Sequence, residues 1–324
     1  PSPAPAPPLD GTTLPTTAAP PAPAAPPMTV HVFKKKLTKA LDALGGRYAV
    51  ETAPGVRGNL APETAVCASG QRDAHYGAVL PGLVEDILRR APLRAGETFA
   101  DVGSGIGSAV LQAALTTQCA RATGVEVVRT RHAAALEVRT ALADEVDAAA
   151  RASLEQRCAL VLGDAFSDST SEFLASCDVL FVNNASGTMA PERVAGTALD
   201  EQLANVAKRL KVGGRLVAMD KLPLLDAAAA GGAFEFSEFR SSPRAVSWTD
   251  APVPLYRYEK RKSSWTCKRC TFENPLYDDY SFITECSICP EELRDRFGLG
   301  GGELESHRPV RAARRRAADA AANA

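Results

Sequence analysis

Three glycines and one acid, closely spaced, form the part of the sequence best suited to bind a ligand. Residues 98–111, TFADVGSGIGSAVL, predict an apolar strand, a tight turn and the start of a helix. A glycine turn at the carboxyl end of a strand lets the backbone come close to a nucleotide-like ligand. Asp101 would repel the pyrophosphate of a dinucleotide but attract an ammonium group at ~4 Å, and the spacing of Gly103, Gly105 and Gly107 departs from G-x-G-x-x-G. The turn therefore favours S-adenosylmethionine, whose methionine part carries an ammonium.

Two further acids follow the next two predicted strands. Because such a ligand lies along the carboxyl ends of successive strands, Glu126 is placed to accept hydrogen bonds from both ribose hydroxyls. Asp164, which follows Gly163, is placed to accept from the adenine amino group, with Ala165 or Phe166 against the ring. A single acid at the end of a strand is more often a helix cap. Three acids in register after consecutive strands favour the cofactor.

Two amides follow the fourth predicted strand, where an acceptor is expected. In the run LFVNNASG from Leu180, Asn183 or Asn184 can orient the lone pair of a neutral acceptor amine toward a methyl group. Neither amide supplies a strong base. The Pro-Pro-aromatic sequence usual in enzymes that methylate adenine or cytosine amino groups does not follow. The alternative interpretation is a plain turn after the strand.

The elements around these residues alternate between short apolar runs and helical periodicity, which predicts a parallel sheet with helices on both faces. The first five strands are predicted at 97–103, 122–127, 158–163, 178–183 and 214–220. Helices are predicted at 109–118, 129–152 and 192–210. Two further strands within 233–260 complete the prediction of an α/β fold, the Rossmann-like, seven-stranded domain of a class I methyltransferase.

In order along the chain, these motifs resemble the disruptor-of-telomeric-silencing family of non-SET histone lysine methyltransferases. The resemblance spans about residues 70–260, and Tyr76-Gly77 and Val246-Ser-Trp-Thr-Asp-Ala-Pro also carry it. It implies methyl transfer to a lysine in the globular core of a nucleosomal histone, in the nucleus. The cofactor pocket would be lined by Tyr76, Asp101, Gly103, Glu126, Asp164 and Asn183. The remaining residues implied in catalysis are Asn184, Trp248 and Tyr256, the last two as walls of a narrow lysine channel.

The sequence departs from the family pattern at four places before the closing segment. Ala78 stands where Glu is usual, Ser108 where Gln is usual, and Ala165 where an aromatic is usual. Ala185-Ser186-Gly187 replaces Phe-Ala-Phe-Gly, so two aromatic rings are missing. These departures bear on adenine stacking and on the shape of the lysine channel.

The chemistry of such an enzyme needs little covalent help. A neutral lysine amine attacks the methyl group in line, so positioning at ~3 to 3.5 Å and desolvation dominate. Burial beside a sulfonium lowers the pKa of a lysine from ~10.4, so no dedicated base is required. His75, beside Tyr76, is interpreted as a bystander. The family's tyrosine after the tryptophan falls at or next to Leu255, which makes Tyr256 a near match.

The eight cysteines divide into clustered and scattered sets. Two Cys-x-x-Cys pairs predict a tetrahedral zinc site with thiolates at ~2.3 Å, since each pair brings two thiolates to one face. These four are Cys267, Cys270, Cys286 and Cys289. The other four have no metal spacing and are expected to be reduced, partly buried residues of an intracellular protein. They are Cys67, Cys119, Cys158 and Cys177.

Residues 263–292 resemble the Ran-binding-protein-two and NZF class of zinc fingers, with Trp265 and Asn274 in the class positions. Members that bind ubiquitin have Thr-Phe after the second cysteine and an apolar residue before the fourth. Here these are Thr271, Phe272 and Ile288. The resemblance therefore implies ubiquitin binding, and RNA binding is the alternative.

The two ends of the chain have biased compositions. Residues 1–27 are almost entirely Pro, Ala, Thr and Ser, and residues 293–324 form a basic tail, so both are predicted to be disordered around a methyltransferase domain at 28–262. No apolar run approaches the ~20 residues needed to span a bilayer, so no membrane partner is expected. Lys34 to Lys36 and the basic tail predict non-specific contacts with DNA phosphates, or else a solvated surface.

Joined together, the two modules predict an enzyme that methylates a histone lysine on nucleosomes and recognises ubiquitin through its finger. Three alternatives stay open. In the first, the domain acts on a non-histone protein or a small molecule. In the second, it is an inactive methyltransferase domain in a ubiquitin-binding chromatin reader. In the third, the finger binds RNA.

Overall fold

The computed structural model describes residues 26–53, 56, 66–67, 70–71, 78–185, 199–230, 233–261, 264–266, 273–275, 277–278 and 281–282. The chain divides into two compact units, of which the first holds the predicted cofactor-binding domain up to Arg261. The second consists of Gly231–Ala233 and the residues from Lys262 onward.

The helices of the described residues lie in the first unit. They are α1 (Val30–Ala43), α2 (Arg47–Thr52), α3 (Pro81–Arg90), α4 (Ser108–Thr116), α5 (Arg129–Glu145), α6 (Ala148–Arg157), α7 (Asp168–Ser176), α8 (Leu199–Lys208) and α9 (Pro223–Ala230). The strands of the first unit are β1 (Val66–Cys67), β2 (Gly70–Gln71), β3 (Thr98–Val102), β4 (Arg121–Glu126), β5 (Cys158–Leu162), β6 (Val179–Val182), β7 (Arg215–Ala218), β8 (Phe234–Arg240) and β9 (Pro254–Lys260).

One seven-stranded sheet has the order β5-β4-β3-β6-β7-β9-β8. Strands β5, β4, β3, β6 and β7 are parallel to one another, whereas β9 is antiparallel to both β7 and β8. The chain leaves the centre of the sheet in one direction, through β3, β4 and β5, and then returns to add β6 on the other side of β3. This order is that of a class I methyltransferase, so the predicted fold is confirmed.

The reversal of strand order between β3 and β6 creates the switch point at which open α/β sheets bind their ligands. The register sets Asp101 of β3 opposite Gly124 of β4 and Phe181 of β6. The carboxyl ends of these three strands therefore lie together at the same end of the sheet, as the spacing of acids and amides predicts.

The prediction of a single helix over 129–152 is wrong in one respect, because the structure has two helices there, α5 and α6. Val146 leaves the helical conformation, with φ −102° and ψ 163°. Asp147 then begins the next helix as its N-cap, and its Oδ1 accepts a hydrogen bond from the backbone N–H of Ala150 at 2.8 Å. A capping aspartate satisfies a backbone donor that helix continuation would otherwise serve.

The core surrounds α4, which is buried along Ser108–Leu115. Helix α1 covers this side of the sheet with Phe33, Leu37 and Leu41, each at most 2% exposed. At the amino ends of the strands, opposite the switch point, the guanidinium of Arg215 pairs with Glu97 at 2.6 Å. Apolar burial on one side of the sheet and this buried ion pair at the amino ends of the strands hold in place the strands whose carboxyl ends form the site.

The described residues of the second unit form short hairpins. Strand β10 (Ser264–Thr266) pairs with β11 (Glu273–Pro275), and Trp265 lies opposite Asn274 in this pairing. Strand β12 (Tyr277–Asp278) pairs with β13 (Ser281–Phe282). The four clustered cysteines and the predicted ubiquitin-binding residues lie outside the described residues, as do residues 1–25 and 293–324. The predictions for those segments therefore stay predictions.

Candidate cofactor-binding site

The glycine turn between β3 and α4 has the geometry that only glycine adopts easily. Gly103, Gly105 and Gly107 have φ of 77°, 54° and 80°, in the left-handed region that side chains disfavour. The turn is tied to β4 because the backbone N–H groups of Gly103 and Ser104 both donate to the carbonyl of Val125, at 2.8 and 3.1 Å. The sequence prediction of a strand, a tight turn and a helix is confirmed here.

The close approach of the turn to β4 depends on a further glycine. A Cβ on Gly124 would lie 2.6 Å from the Oγ of Ser104 and 2.9 Å from a methyl group of Val110. Any larger residue at this position would push the turn away from the sheet edge. Gly124 therefore sets the height of the turn above the strands.

An open pocket lies beside the turn, with an empty volume of about 530 Å³ that includes solvent at its mouth. It is lined by Ala78, Val79, Asp101, Gly103, Ser104, Gly105, Ile106, Ser108, Ala109, Arg131, Phe181 and Asn183. The pocket thus joins the turn, the end of β3, the end of β6 and the first turn of α5. Four of the predicted cofactor-binding residues line it: Asp101, Gly103, Gly105 and Asn183.

One wall of the pocket is held by a segment far away in the sequence. Val79 forms a bridge with Val246, and the backbone N–H of Ser247 donates to the carbonyl of Ala78 at 3.0 Å. The hydroxyl of Ser247 in turn accepts from the N–H of Ala78 at 3.1 Å. The segment before Trp248 therefore positions the wall, although Trp248 itself is 43% exposed and is not among the residues that line the pocket.

Asp101 is buried at the mouth of the turn, with 4% of its surface exposed. Burial, together with repulsion from the neighbouring carboxylate of Glu126, raises the pKa of this carboxyl to about 8. Burying a charge is costly unless it is paired. The side chain of Asp101 faces the pocket, so a cationic group bound there would stabilise its ionised form.

Glu126 is buried too, but it has partners. Its two carboxylate oxygens accept hydrogen bonds from the backbone N–H groups of Gly105 and Val128, each at 2.8 Å. Burial raises the pKa of Glu126, while the guanidinium of Arg131 and these backbone donors oppose the rise. An ionised carboxylate has about four lone-pair sites, so Glu126 keeps capacity to accept from two hydroxyls.

Asp164 and Ala165 lie near the end of β5, and neither lines the pocket. The Oδ1 of Asp164 accepts from the backbone N–H of Phe166 at 3.0 Å, and its carbonyl accepts from the hydroxyl of Ser167 at 3.0 Å. The carboxylate therefore orders the turn before α7 through an Asx-type hydrogen bond and does not cap the helix, whose N-cap is Ser167. Adenine recognition by Asp164 stays a prediction.

The two amides after β6 have different surroundings. The Oδ1 of Asn184 accepts from the backbone N–H groups of Met219 and Asp220, each at 2.8 Å, and its amide donates to the carbonyl of Asp220 at 3.2 Å. These three bonds join the end of β6 to the end of β7. Asn184 is therefore a positioning residue, and Asn183 is the amide that lines the pocket.

The structure does not bring Tyr256 to the pocket. Tyr256 lies on β9, its ring stacks on Phe236 with centroids 6.4 Å apart, and the ammonium of Lys221 lies 5.7 Å from its centroid. Leu255, where the family's tyrosine falls, is completely buried. Tyr76, the remaining predicted residue, lies outside the described residues.

The pocket residues that the sequence prediction of the site missed include Ser108 and Arg131. Ser108 is 7% exposed, and its buried Oγ has no hydrogen-bond partner in the structure. Arg131, 5% exposed, is a cation inside the pocket wall. The replacement of Gln by Ser108 was a signal for the first, whereas no sequence signal marked the second.

The chemistry of these groups fits S-adenosylmethionine. An unpaired hydroxyl and the first backbone N–H groups of α4 suit an anionic group, since helix N-termini bind carboxylates and phosphates. Asp101 suits a cation on the same ligand. The amino acid part of S-adenosylmethionine carries both an ammonium and a carboxylate, so one ligand can satisfy both ends of the pocket.

The described cysteine side chains are free and fully buried rather than partly buried: Cys119, Cys158 and Cys177. Burial raises the pKa of Cys158 and Cys177 to about 12, so their thiols stay protonated at neutral pH. Within the described ranges, no group of three or more His, Cys, Asp or Glu is arranged to hold a metal ion. No helix in the same ranges is long and apolar enough to cross a membrane.

Comparison with known proteins finds a family described as Histone methylation protein DOT1, which matches residues 69–272. A protein of Eremothecium gossypii named histone-lysine N-methyltransferase, H3 lysine-79 specific, is 29% identical over 45% of this chain and 24% of its own length. Proteins of the same name from Chaetomium globosum and Drosophila melanogaster are 29% and 27% identical, over 55% and 56% of this chain. The chain spans only 34% and 10% of the lengths of these two relatives.

Among solved structures, TrmN from Thermus thermophilus is similar with a TM-score of 0.36 and 20% identity, over 55% of this chain and 48% of that one. An RNA methyltransferase from Salinibacter ruber, in complex with S-adenosyl-L-homocysteine, has a TM-score of 0.35 and 18% identity, over 55% of this chain and 90% of that one.

The two amides give a matched pair of substitutions. Asn184→Ala leaves the backbone N–H groups of buried Met219 and half-buried Asp220 without an acceptor, so we expect the free energy of unfolding to fall by roughly 2–3 kcal/mol. Asn183→Ala removes a hydrogen bond, from the N–H of Ala185 at 3.3 Å, so we expect it to lower that free energy by about 1 kcal/mol or less and to weaken binding of S-adenosylhomocysteine. Urea unfolding and calorimetric titration of both variants check these expectations. Equal stability of the two variants would contradict the assignment.

Proposed function

The chain belongs to the family described as Histone methylation protein DOT1, and from this premise we propose that it is an S-adenosylmethionine-dependent histone-lysine N-methyltransferase. We take its substrate to be lysine-79 of histone H3 in the nucleosome, the specificity that its relatives carry in their names. The observation that carries the proposal is the buried carboxyl of Asp101 beside an open pocket at the glycine turn. Action on chromatin places the protein in the nucleus.

Residues that line the pocket and acids at the ends of the neighbouring strands would each hold one part of the cofactor. Asp101 would bind the ammonium, and Ser108 with the N-terminus of α4 would bind the carboxylate of the same amino acid part. Glu126 would accept from the ribose hydroxyls, and Asp164 from the adenine amino group. S-adenosylmethionine, when bound, supplies a methyl group on a positively charged sulfur.

The acceptor side of the site requires positioning more than proton transfer. Asn183, at the end of β6, would orient the lone pair of the acceptor amine, while Asn184 fixes the strand end that carries it. The wall of Ala78 and Val79 excludes water, and exclusion of water favours the neutral form of a lysine amine. The Trp248 segment holds this wall, which supports its proposed place near the lysine channel.

A second part of the proposal concerns the residues that follow the methyltransferase domain. We propose that Cys267, Cys270, Cys286 and Cys289 bind one zinc ion and that the resulting finger binds ubiquitin on chromatin. The spacing of the cysteines supports the zinc site, and Thr271, Phe272 and Ile288 support ubiquitin as the partner. The pairing of Trp265 with Asn274 agrees with a hairpin that carries the first cysteine pair between its strands.

Basic surface residues support nucleosomes as the substrate. Lys34 and Lys35 are exposed on α1, and only Lys34 of the two has an ion-pair partner within the described chain, Glu85 at 3.8 Å. Exposed lysines of this kind attract the phosphate backbone of DNA without sequence preference. Their contribution falls as the salt concentration rises.

Methyl transfer from labelled S-adenosylmethionine to nucleosomes tests the function. We expect label on histone H3 of intact nucleosomes, and loss of at least about a hundredfold in rate with Asp101→Ala, because the cofactor's ammonium loses its partner. Asp144→Ala, which removes an exposed acid on α5, is the matched control and should retain the rate.

The acceptor is tested with nucleosomes whose H3 lysine-79 is replaced by arginine. Label that persists on these nucleosomes would contradict the proposed acceptor. Label on no histone, despite measurable cofactor binding, would favour another acceptor or an inactive domain that only binds chromatin.

Metal analysis tests the finger. We expect one zinc ion per purified chain, lost when Cys286 and Cys289 are replaced by serine, because a tetrahedral site cannot close with two thiolates. Replacement of Cys67, which lies in neither pair, is the control and should leave the zinc content unchanged. A zinc content near zero in the unsubstituted protein would contradict the proposed site.

A further inference from the structure

Arg131 is a buried cation in the wall of the cofactor pocket that none of the sequence motifs explains. It lies in the first turn of α5 and is 5% exposed, whereas Arg129, two residues earlier on the same helix, is exposed. Arginine is almost never buried without charged or hydrogen-bonding partners. The question is therefore what its burial achieves at this site.

The contacts of Arg131 connect two separate parts of the molecule. Its Nε donates to the carbonyl of Val56 at 2.9 Å, across 75 residues of sequence. Its charge acts on Glu126, whose carboxylate accepts from the backbone N–H of Gly105. Arg131 thus joins Val56 to the wall of the pocket, and its charge acts on the carboxylate that holds the glycine turn.

The charges in the pocket explain why a cation is needed there. Asp101 and Glu126 are both under 5% exposed, and two buried carboxylates repel each other. The guanidinium offsets the charge of Glu126, so Asp101, once ionised, is the carboxylate left to pair with a cationic ligand. Removing the guanidinium would leave Glu126 as a buried charge without its cation.

We propose that Arg131 is a positioning residue of the cofactor site, which offsets the charge of Glu126 and fastens Val56 to the wall of the pocket. Cofactor binding and the packing of Val56 are then coupled, and such coupling is reciprocal. The inference rests on the proposed function, because the ligand that it concerns is S-adenosylmethionine.

The first test measures binding of S-adenosylhomocysteine by calorimetry to the full chain and to three variants. We expect Arg131→Met to weaken binding at least tenfold, Arg131→Lys to recover part of the loss because it restores the charge, and Arg129→Met to bind like the unsubstituted protein. Wild-type affinity in Arg131→Met overturns the proposal. If Arg131→Met does not fold, Arg131→Lys decides: weaker binding at unchanged thermal stability supports the proposal, and unchanged affinity overturns it.

The pH dependence separates a charge effect from lost packing. Glu126 is faced by Arg131 on α5 and by Asp101 on β3. Without the guanidinium, Glu126 takes up a proton more readily, so the defect of Arg131→Met should narrow as the pH rises from 6.5 to 9. Asp101 titrates in both proteins, so the ratio of their dissociation constants, and not either constant alone, reports the effect of the guanidinium. A ratio independent of pH overturns the charge role.

Hydrogen exchange tests the coupling itself. We expect S-adenosylhomocysteine to slow exchange in α2 and at Val56 of the unsubstituted protein and of Arg129→Met, but not of Arg131→Met. An equal response in all three proteins overturns the inference. If the unsubstituted protein binds no S-adenosylhomocysteine, the proposed function fails, whereas normal binding with an unaffected Arg131→Met removes only this inference.

Discussion

The burial of two carboxylates at the ends of adjacent parallel strands is the constraint on which this site depends. Glu126 is stabilised by backbone N–H groups and by Arg131, but the charge that acts on Asp101 is repulsive. Burial and repulsion from Glu126 raise the pKa of Asp101 to about 8, so above pH 3.8 the folded protein keeps a proton that the unfolded chain loses. Folding stability therefore falls progressively as the pH rises from 3.8 toward 8. A cationic ligand beside Asp101 stabilises the ionised carboxylate and so reverses this cost. The buried acid therefore favours binding of a cation.

The surrounding structure holds these charges in place. Gly124 allows the glycine turn to approach β4, and Glu126 ties Gly105 of that turn to the end of the strand. Asn184 joins β6 to β7, so that the strand end carrying Asn183 keeps its position beside the pocket. The site thus depends as much on the geometry of these positioning residues as on that of the residues that line the pocket.

The sequence predicts the parallel strands well, because apolar runs between glycines and acids are local signals. The strand predicted at 158–163 is observed at Cys158–Leu162. The break at Asp147 escapes prediction, since helical periodicity continues through both α5 and α6. Long-range partners escape it too: Arg131 bonds to a carbonyl 75 residues away, and Asn184 to backbone groups 35 and 36 residues away. Residue types alone do not distinguish a pocket amide from a structural one.

Titration of the Asp101 carboxyl by carbon-13 NMR, with and without S-adenosylhomocysteine, tests the central claim most directly. The free protein should show this carboxyl titrating near pH 8. In the complex its pKa should fall below that of the free protein by several units, because the ligand's ammonium then lies beside it. An Asp101 carboxyl that titrates identically in both states would contradict the claim that this buried acid exists to bind the cofactor.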